Sequence, residues 1–352
     1  MNNELKIKLS DFDYKLPEGL IAQYAEDIRD NSKLLVLHRK EGKTEHKIFK
    51  DIITYLNPGD LLVLNDTKVF NARLIGKREG YEGKIEVLLA EKIDDKTYAC
   101  LVRPYKRFKT GTQLLFGEGG LLKAEVTGEE DGFKKIRFNA NGNFYSLLDK
   151  IGNVPLPPYI RRKPDEKDKE RYQTIYAKNR GAIAAPTAGL HFTKDLLSSI
   201  EKKGIDTAHI TLHVGYATFR SVKEEDVTKH NMHNEYFEIS ESAAEKINNT
   251  KKNGGKVVAV GTTTCRALES ATVKLDTRYE IRDMKTYTNL FMYPGYNFKI
   301  IDGIITNFHL PKTTLLMLVS AFAGRENVMR AYSEAVKRNY RFYSYGDAML
   351  IL

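Results

Sequence analysis

The sequence predicts an α/β protein: a mixed, layered α/β domain with a small antiparallel β-barrel inserted into it. Three observations carry this. Strand-like apolar runs alternate with amphipathic helical runs over residues 11–68 and again from 145 to the C-terminus. Between them lie six short alternating runs, starting near Arg73, Lys84, Tyr98, Gln113, Leu122 and Lys134, separated by Gly- and Asp-containing turns with no helical stretch. The same texture resumes on both sides of that block. The barrel, residues 69–144, therefore reads as an insertion into a discontinuous domain of residues 1–68 and 145–352.

Length and composition agree. A chain of 352 residues supports roughly two cores. Its 41% apolar and 29% charged residues are ordinary for a water-soluble domain. No run approaches the ~18 apolar residues of a membrane span, and the first residues lack the apolar centre of a signal peptide. Cys100 and Cys265 are too few for a disulfide framework and show no metal-type spacing. A cytoplasmic protein without a membrane partner is expected. Fifty-six basic against 46 acidic residues give a net charge of +10, which favours a polyanionic partner because each neutralised phosphate releases counterions.

In order along the chain, a short helix starts at Pro17, with proline at its first turn. A strand follows from Lys33 and a second runs into Ile48, then a short helix to Leu56. Residues 61–64 form an all-apolar run, as expected for a strand covered on both faces, and it ends in polar Asn65, Asp66 and Thr67. Within the barrel, residues 103–111 mix cations with aromatics; Arg103, Lys106 and Arg107 suit RNA, whose bases stack while its phosphates pair with cations. After a short helix from Tyr145, three prolines in residues 155–158 force an extended strap, which delivers Tyr159, Arg161 and Arg162 to one place. Residues 165–171 read as a solvated loop. Residues 181–185 read as the end of a buried strand, broken at Pro186 and followed by a helix from Thr193 to about Lys203. Strands near 208–215, 256–261, 286–292 and 303–306 then alternate with helices over 241–252, 313–322 and 326–338, and the apolar C-terminal tail is expected to pack.

Polar residues gather at the predicted strand ends. Thr187 and Gly189 leave space above the backbone, and His191 and Phe192 follow at once, a pattern typical of ligand sites in α/β sheets. Gly261, Thr262 and Thr263 open a helix whose free N–H groups favour an anion. His191, His213, His230, His233 and His309, five of eight histidines, fall at strand ends or turns; converging imidazoles suit proton transfer near neutral pH. His230 and His233 with Glu235 also admit a metal-dependent nucleic-acid hydrolase. A non-catalytic RNA-binding protein with structural histidines is the other alternative.

A set of motifs then narrows the reading. NDTKV (65–69), PLPPYI (155–160), RYQTIYA (171–177), APTAGLHFT (185–193), TLHVG (211–215), AVGTT (259–263), YPGYNF (293–298), TNFHLP (306–311) and YGDAML (345–350) together resemble the S-adenosylmethionine:tRNA ribosyltransferase-isomerase family of queuosine biosynthesis. The likeness runs from about Leu16 to the C-terminus. Lys68 stands where arginine is usual, Thr313 where serine is common, and Ala217 where the family has a second glycine, a change that narrows a close backbone approach.

The resemblance implies transfer and isomerisation of the ribosyl part of S-adenosylmethionine onto 7-aminomethyl-7-deazaguanine at the wobble position of a tRNA. Adenine and methionine leave, and S-adenosylmethionine is a substrate with no metal or other cofactor. On this reading the protein is a monomer whose partners are that tRNA and S-adenosylmethionine. His191 is the first choice as base, with His213 or His233 next; Asp66 or Glu235 can protonate adenine. The 261–263 turn with Arg266 holds the methionine carboxylate, and Phe192 or Phe308 stacks on adenine. Gly215, Asn307 and His309 complete the substrate site. Arg103, Lys106, Arg107, Tyr159, Arg161 and Arg162 hold the tRNA.

Overall fold

The computed structural model describes residues 7–216 and 222–352. Strands β1 (Lys33–His38) and β2 (Lys43–Ile48) form a hairpin, and a 3-10 turn at Phe49–Tyr55 leads to β3 (Leu61–Asn65) and the short β4 (Thr67–Val69). The six predicted barrel strands follow: β5 (Arg73–Arg78), β6 (Lys84–Lys92), β7 (Thr97–Arg103), β8 (Gln113–Phe116), β9 (Leu122–Glu130) and β10 (Phe133–Asn139). They close on themselves in the order β10-β7-β6-β5-β8-β9, with every neighbouring pair antiparallel. Closure leaves no strand edge to solvent. Along β7, buried Tyr98, Cys100 and Val102 alternate with more exposed residues, the period-two pattern of a strand with one face in a core. Helix α1 (Phe144–Ile151) adds Leu148 to that core.

Beyond the proline strap the structure departs from expectation. The segment read as a loop is a helix, α2 (Glu166–Arg171), whose N-cap Asp165 and third residue Asp168 cap each other reciprocally. Six polar residues carry no apolar periodicity, so only the Asp-x-x-Asp spacing marked it. Residues 179–182 form β11 (Asn179–Ala182), which pairs in parallel with β4 in a separate two-stranded ribbon and does not join the main sheet.

The rest of the domain comprises α3 (Lys194–Lys202), β12 (Asp206–Leu212), β13 (Glu235–Ile239), α4 (Glu241–Lys252), β14 (Val257–Val260) and α5 (Thr262–Ser270). A hairpin, β15 (Thr272–Leu275) with β16 (Arg278–Ile281), precedes β17 (Met284–Thr288), β18 (Gly303–Asn307), α6 (Thr314–Ala323), α7 (Arg325–Lys337) and β19 (Ala348–Ile351). Nine strands form one sheet in the order β17-β13-β12-β3-β14-β18-β19-β1-β2. Its centre, β12-β3-β14-β18, is parallel. Successive side chains of β3 serve opposite faces: Leu61 and Val63 join the core under α4–α7, while Leu62 and Leu64 join the core under α3 and the 49–55 turn. Helix α6 is apolar on nearly all sides and buried accordingly. Among the described residues no helix is long and apolar enough to cross a membrane.

Strand direction positions the site. The carboxyl ends of β12, β3, β14 and β18 share one edge of the sheet. β19 runs antiparallel to β18, and β1 parallel to β19, so the segments entering those strands, including Tyr343 and Ser32, arrive at the same edge. Antiparallel pairing brings Glu235, the first residue of β13, there as well.

Candidate active site

A cavity opens at this edge, the place where open α/β sheets carry their ligands. Gly261, Thr262 and Thr263 line it from the start of α5, Thr306 to His309 from the end of β18, and Thr187 and Ala188 from the 3-10 turn after Pro186. Tyr159 and Tyr172 approach from the strap and the segment behind it, Tyr343 and Ser344 from the turn before β19. Gly261 sits at φ +97°, a backbone region that favours glycine, and the first residues of α5, Thr262 and Thr263, follow it in the cavity wall. Below, Asn65 ties the floor together: its amide donates to the Leu212 carbonyl (3.0 Å) and accepts from the Leu212 and Thr67 N–H groups.

His191 lies beneath this cavity and does not line it. Its ring is 5% exposed and stacks on Phe49 with centroids 4.9 Å apart. Nδ1 meets Ser32 Oγ at 2.7 Å and Nε2 meets Asn307 Nδ2 at 3.2 Å. Both ring nitrogens are thus engaged inside the protein. Burial first, then the nearby cations Arg341, Arg171 and Arg29, lowers its pKa to about 3, so the ring is neutral.

The imidazole on the cavity wall is His309. Its Nε2 meets Thr306 Oγ1 at 2.8 Å, and burial lowers its pKa to about 3 as well. His213 occupies a neighbouring niche, its ring flat over Gly181 where no Cβ would fit, stacked on Tyr236 and bonded to Thr67 Oγ1 at 2.8 Å. His233 is exposed. His230 pairs with Glu224 at 3.0 Å, and among the described residues no group of three or more His, Cys, Asp or Glu is arranged to hold a metal ion.

The remaining candidates divide between cavity and scaffold. Glu235 and Arg266, both buried, form an ion pair; Glu235 also accepts from the Gly215 N–H, and Arg266 donates to the Leu290 carbonyl. Arg266 is thereby turned to β13 and away from the helix start. Asp66 accepts from Asn179 and Thr211 and lines a second, polar hollow of about 740 Å³ with His209 and Lys246. Gly189 packs where a Cβ would collide with the Tyr176 hydroxyl. Phe192 is fully buried, edge-on to Phe49, and the Phe308 ring packs among Tyr332, Tyr340 and Phe342. Ala217 lies outside the described residues.

A second cleft runs between the barrel and the proline strap. Leu101 to Arg103 form one wall and Pro155 to Pro158 the other, with Arg73, Arg161 and Arg162 along it. It adjoins the cavity through consecutive residues: Pro158 lines the cleft and Tyr159 the cavity, Ile183 the cleft and Ala184 the cavity. Arg103 in that wall is exposed, as are Lys106 and Arg107 in the 3-10 turn that follows β7. The Arg161 side chain is 72% exposed and pairs with Glu18 at the surface. Arg162 is different: its guanidinium grips Asp168 bidentately at 2.6 and 2.7 Å and covers the Tyr24 ring, so it braces the strap.

Comparison with known proteins fits this layout. A family model described as queuosine biosynthesis protein matches residues 9–351. The chain belongs to the queuosine biosynthesis protein family. It is 52% identical over 345 residues to the S-adenosylmethionine:tRNA ribosyltransferase-isomerase of Clostridioides difficile, covering 98% of this chain and 100% of that one. It is 53% identical over 346 residues to the enzyme of the same name from Halothermothrix orenii, with the same coverage. The crystal structure of S-adenosylmethionine tRNA ribosyltransferase from Thermotoga maritima superimposes with a TM-score of 0.55 at 40% identity, covering 97% of this chain and 100% of that one.

In this member of the queuosine biosynthesis family, six of the nine sequence motifs contribute to the cavity's walls. PLPPYI supplies Tyr159, RYQTIYA Tyr172, APTAGLHFT the 185–188 turn, TLHVG Val214, AVGTT the helix start and TNFHLP its four residues. Sequence reasoning missed Tyr172, Tyr343, Ser344 and Ser32. Tyr343 adopts φ +74°, a conformation rare for a side chain of that size and a recurring feature of functional sites; nothing in the sequence announces it. Ser32 reaches the site only because β1 lies next to β19, a pairing of chain ends that local pattern does not encode.

Proposed function

We propose that this protein is an S-adenosylmethionine:tRNA ribosyltransferase-isomerase. It transfers and isomerises the ribosyl moiety of S-adenosylmethionine onto 7-aminomethyl-7-deazaguanine at the wobble position of a tRNA, acting in the cytoplasm as a monomer. The observation that supports the reading is the nearness of two concavities: consecutive residues, Pro158 with Tyr159 and Ile183 with Ala184, line the Arg-bearing cleft between barrel and strap on one side and the cavity at the sheet on the other. An anticodon loop lies in the cleft, its wobble base everted past Tyr159 into the cavity, where S-adenosylmethionine is consumed as a substrate.

The roles follow from chemistry. The methionine carboxylate docks on the N–H groups of Thr262 and Thr263, where the α5 dipole favours an anion. The ribose carbon beside the sulfonium loses a proton to a base within hydrogen-bond reach, and the departing adenine gains one. Methionine leaves as a neutral thioether, and the attacking aminomethyl group gives up the proton that balances the sum. His309 is the imidazole on the cavity wall, held neutral by burial and hydrogen-bonded to Thr306, while His191 holds the wall behind it. Arg103, Lys106, Arg107 and Arg161 meet tRNA phosphates.

Incubating the protein with S-adenosylmethionine and tRNA bearing the aminomethyl deazaguanine is the test. One free adenine per modified tRNA is expected. Binding of both substrates without any adenine release would leave an RNA-binding protein and overturn the proposal.

A further inference from the structure

The proton positions around His191 can be worked out from its neighbours. Asn307 Nδ2 donates to the Tyr343 carbonyl at 3.1 Å, and a carbonyl only accepts, so the amide cannot be flipped. The second Nδ2 hydrogen lies toward His191 Nε2 at 3.2 Å, nearer than the Gly346 carbonyl at 3.5 Å, and this makes Nε2 the unprotonated ring nitrogen. His191 Nδ1 therefore carries the hydrogen and gives it to Ser32 Oγ, whose own hydrogen goes to the Arg29 carbonyl at 3.3 Å. Every donor in this chain is used, and each end is anchored on a backbone carbonyl. What remains is Oδ1 of Asn307. It belongs to a residue 2% exposed in the cavity wall, and among the described residues it has no hydrogen-bond partner. A buried acceptor left unmade costs ~1–3 kcal/mol, a cost that a bound ligand donor removes.

We infer that Asn307 Oδ1 is a specificity-determining acceptor for an N–H or O–H donor on the nucleoside half of S-adenosylmethionine, its exocyclic amine or a ribose hydroxyl, and that Ser32 and His191 are positioning residues that fix the amide. The inference rests on the function proposed above. Asn307 also holds the carbonyl of Tyr343, whose φ is +74°, so one amide sets both the acceptor and the strained turn at the cavity mouth. This explains a histidine buried with both nitrogens engaged and no route to substrate: protonating Nε2 would set N–H against N–H and release Asn307.

Equilibrium binding of S-adenosylmethionine and two analogues, one lacking the exocyclic amine and one lacking the ribose 2′-hydroxyl, tests this with the full-length protein. The wild type is expected to bind one of them about tenfold more weakly, and that analogue identifies the donor. In Asn307→Ala, and in Asn307→Ser as a second variant, the penalty falls to within about twofold. In His191→Ala it shrinks partly, and His191→Gln, which restores an acceptor to the amide, recovers it. A penalty unchanged in both Asn307 variants overturns the inference, as does a wild type that treats all three ligands alike. Failure of the wild type to bind S-adenosylmethionine at all sinks the functional reading itself, a result separable from either.

Discussion

His191 and His309 are neutral in the fold because burial strips their charged forms of water, and each titrates only near pH 3. In the unfolded chain an imidazole titrates near pH 6.5. Below that pH the unfolded state binds more protons, so the fold loses stability as pH drops from about 6.5 towards 3 and holds it fully above that window. His191→Gln deletes one share of this loss. Between pH 7 and pH 5 the wild type is expected to lose about 2 kcal/mol more than the variant, read as the difference in urea unfolding free energy at the two pH values. Equal losses would mean that protons reach the ring without unfolding. The gathering of imidazoles at strand ends was legible in the sequence, since His191, His213 and His309 each follow an apolar run. Which one faces the cavity was not, because that depends on a Ser32–His191–Asn307 alignment spanning three distant segments.

At the level of elements, periodicity read well wherever one face is buried: all six barrel strands and helices α3, α4, α6 and α7 fall close to their predicted places. It failed where polar contacts make the element. Helix α2 exists through Asp165 and Asp168, and Asp168 in turn accepts from Arg162 and from the Tyr345 hydroxyl at 2.8 Å. Strand β13, paired on both sides by β12 and β17, was missed because its five residues carry two glutamates and a tyrosine among only two aliphatic or phenyl side chains. The strap's two arginines therefore have different work, although they are adjacent. Arg161→Ala is expected to reduce the slope of log K against log salt for tRNA binding by about 0.7, one single-strand phosphate contact, with no change in Tm. Arg162→Ala leaves buried Asp168 without its cation; Tm falls by several degrees while the salt slope holds. The reverse pattern in melting and filter-binding curves would assign the phosphate contact to Arg162.

The whole molecule separates two tasks that its sequence already kept apart. The barrel has its own core, and the cavity at the sheet takes every lining residue from the α/β domain, from Tyr159 to Ser344. The barrel meets that domain around Ile183, which packs into the barrel core one residue before the cavity begins. Affinity for tRNA and affinity for S-adenosylmethionine should then be separable by surface substitution. Replacing Arg103, Lys106 and Arg107 together by alanine removes three exposed cations from a rim that contributes nothing to the cavity. The tRNA salt slope is expected to fall by about 2, from three lost contacts at ~0.7 each. The Kd for S-adenosylmethionine, measured without tRNA, stays within about twofold of wild type. An equal loss in both affinities would show that the barrel hairpin shapes the nucleoside site. An unchanged slope would move the RNA path off this rim and onto other faces of a protein whose net charge is +10.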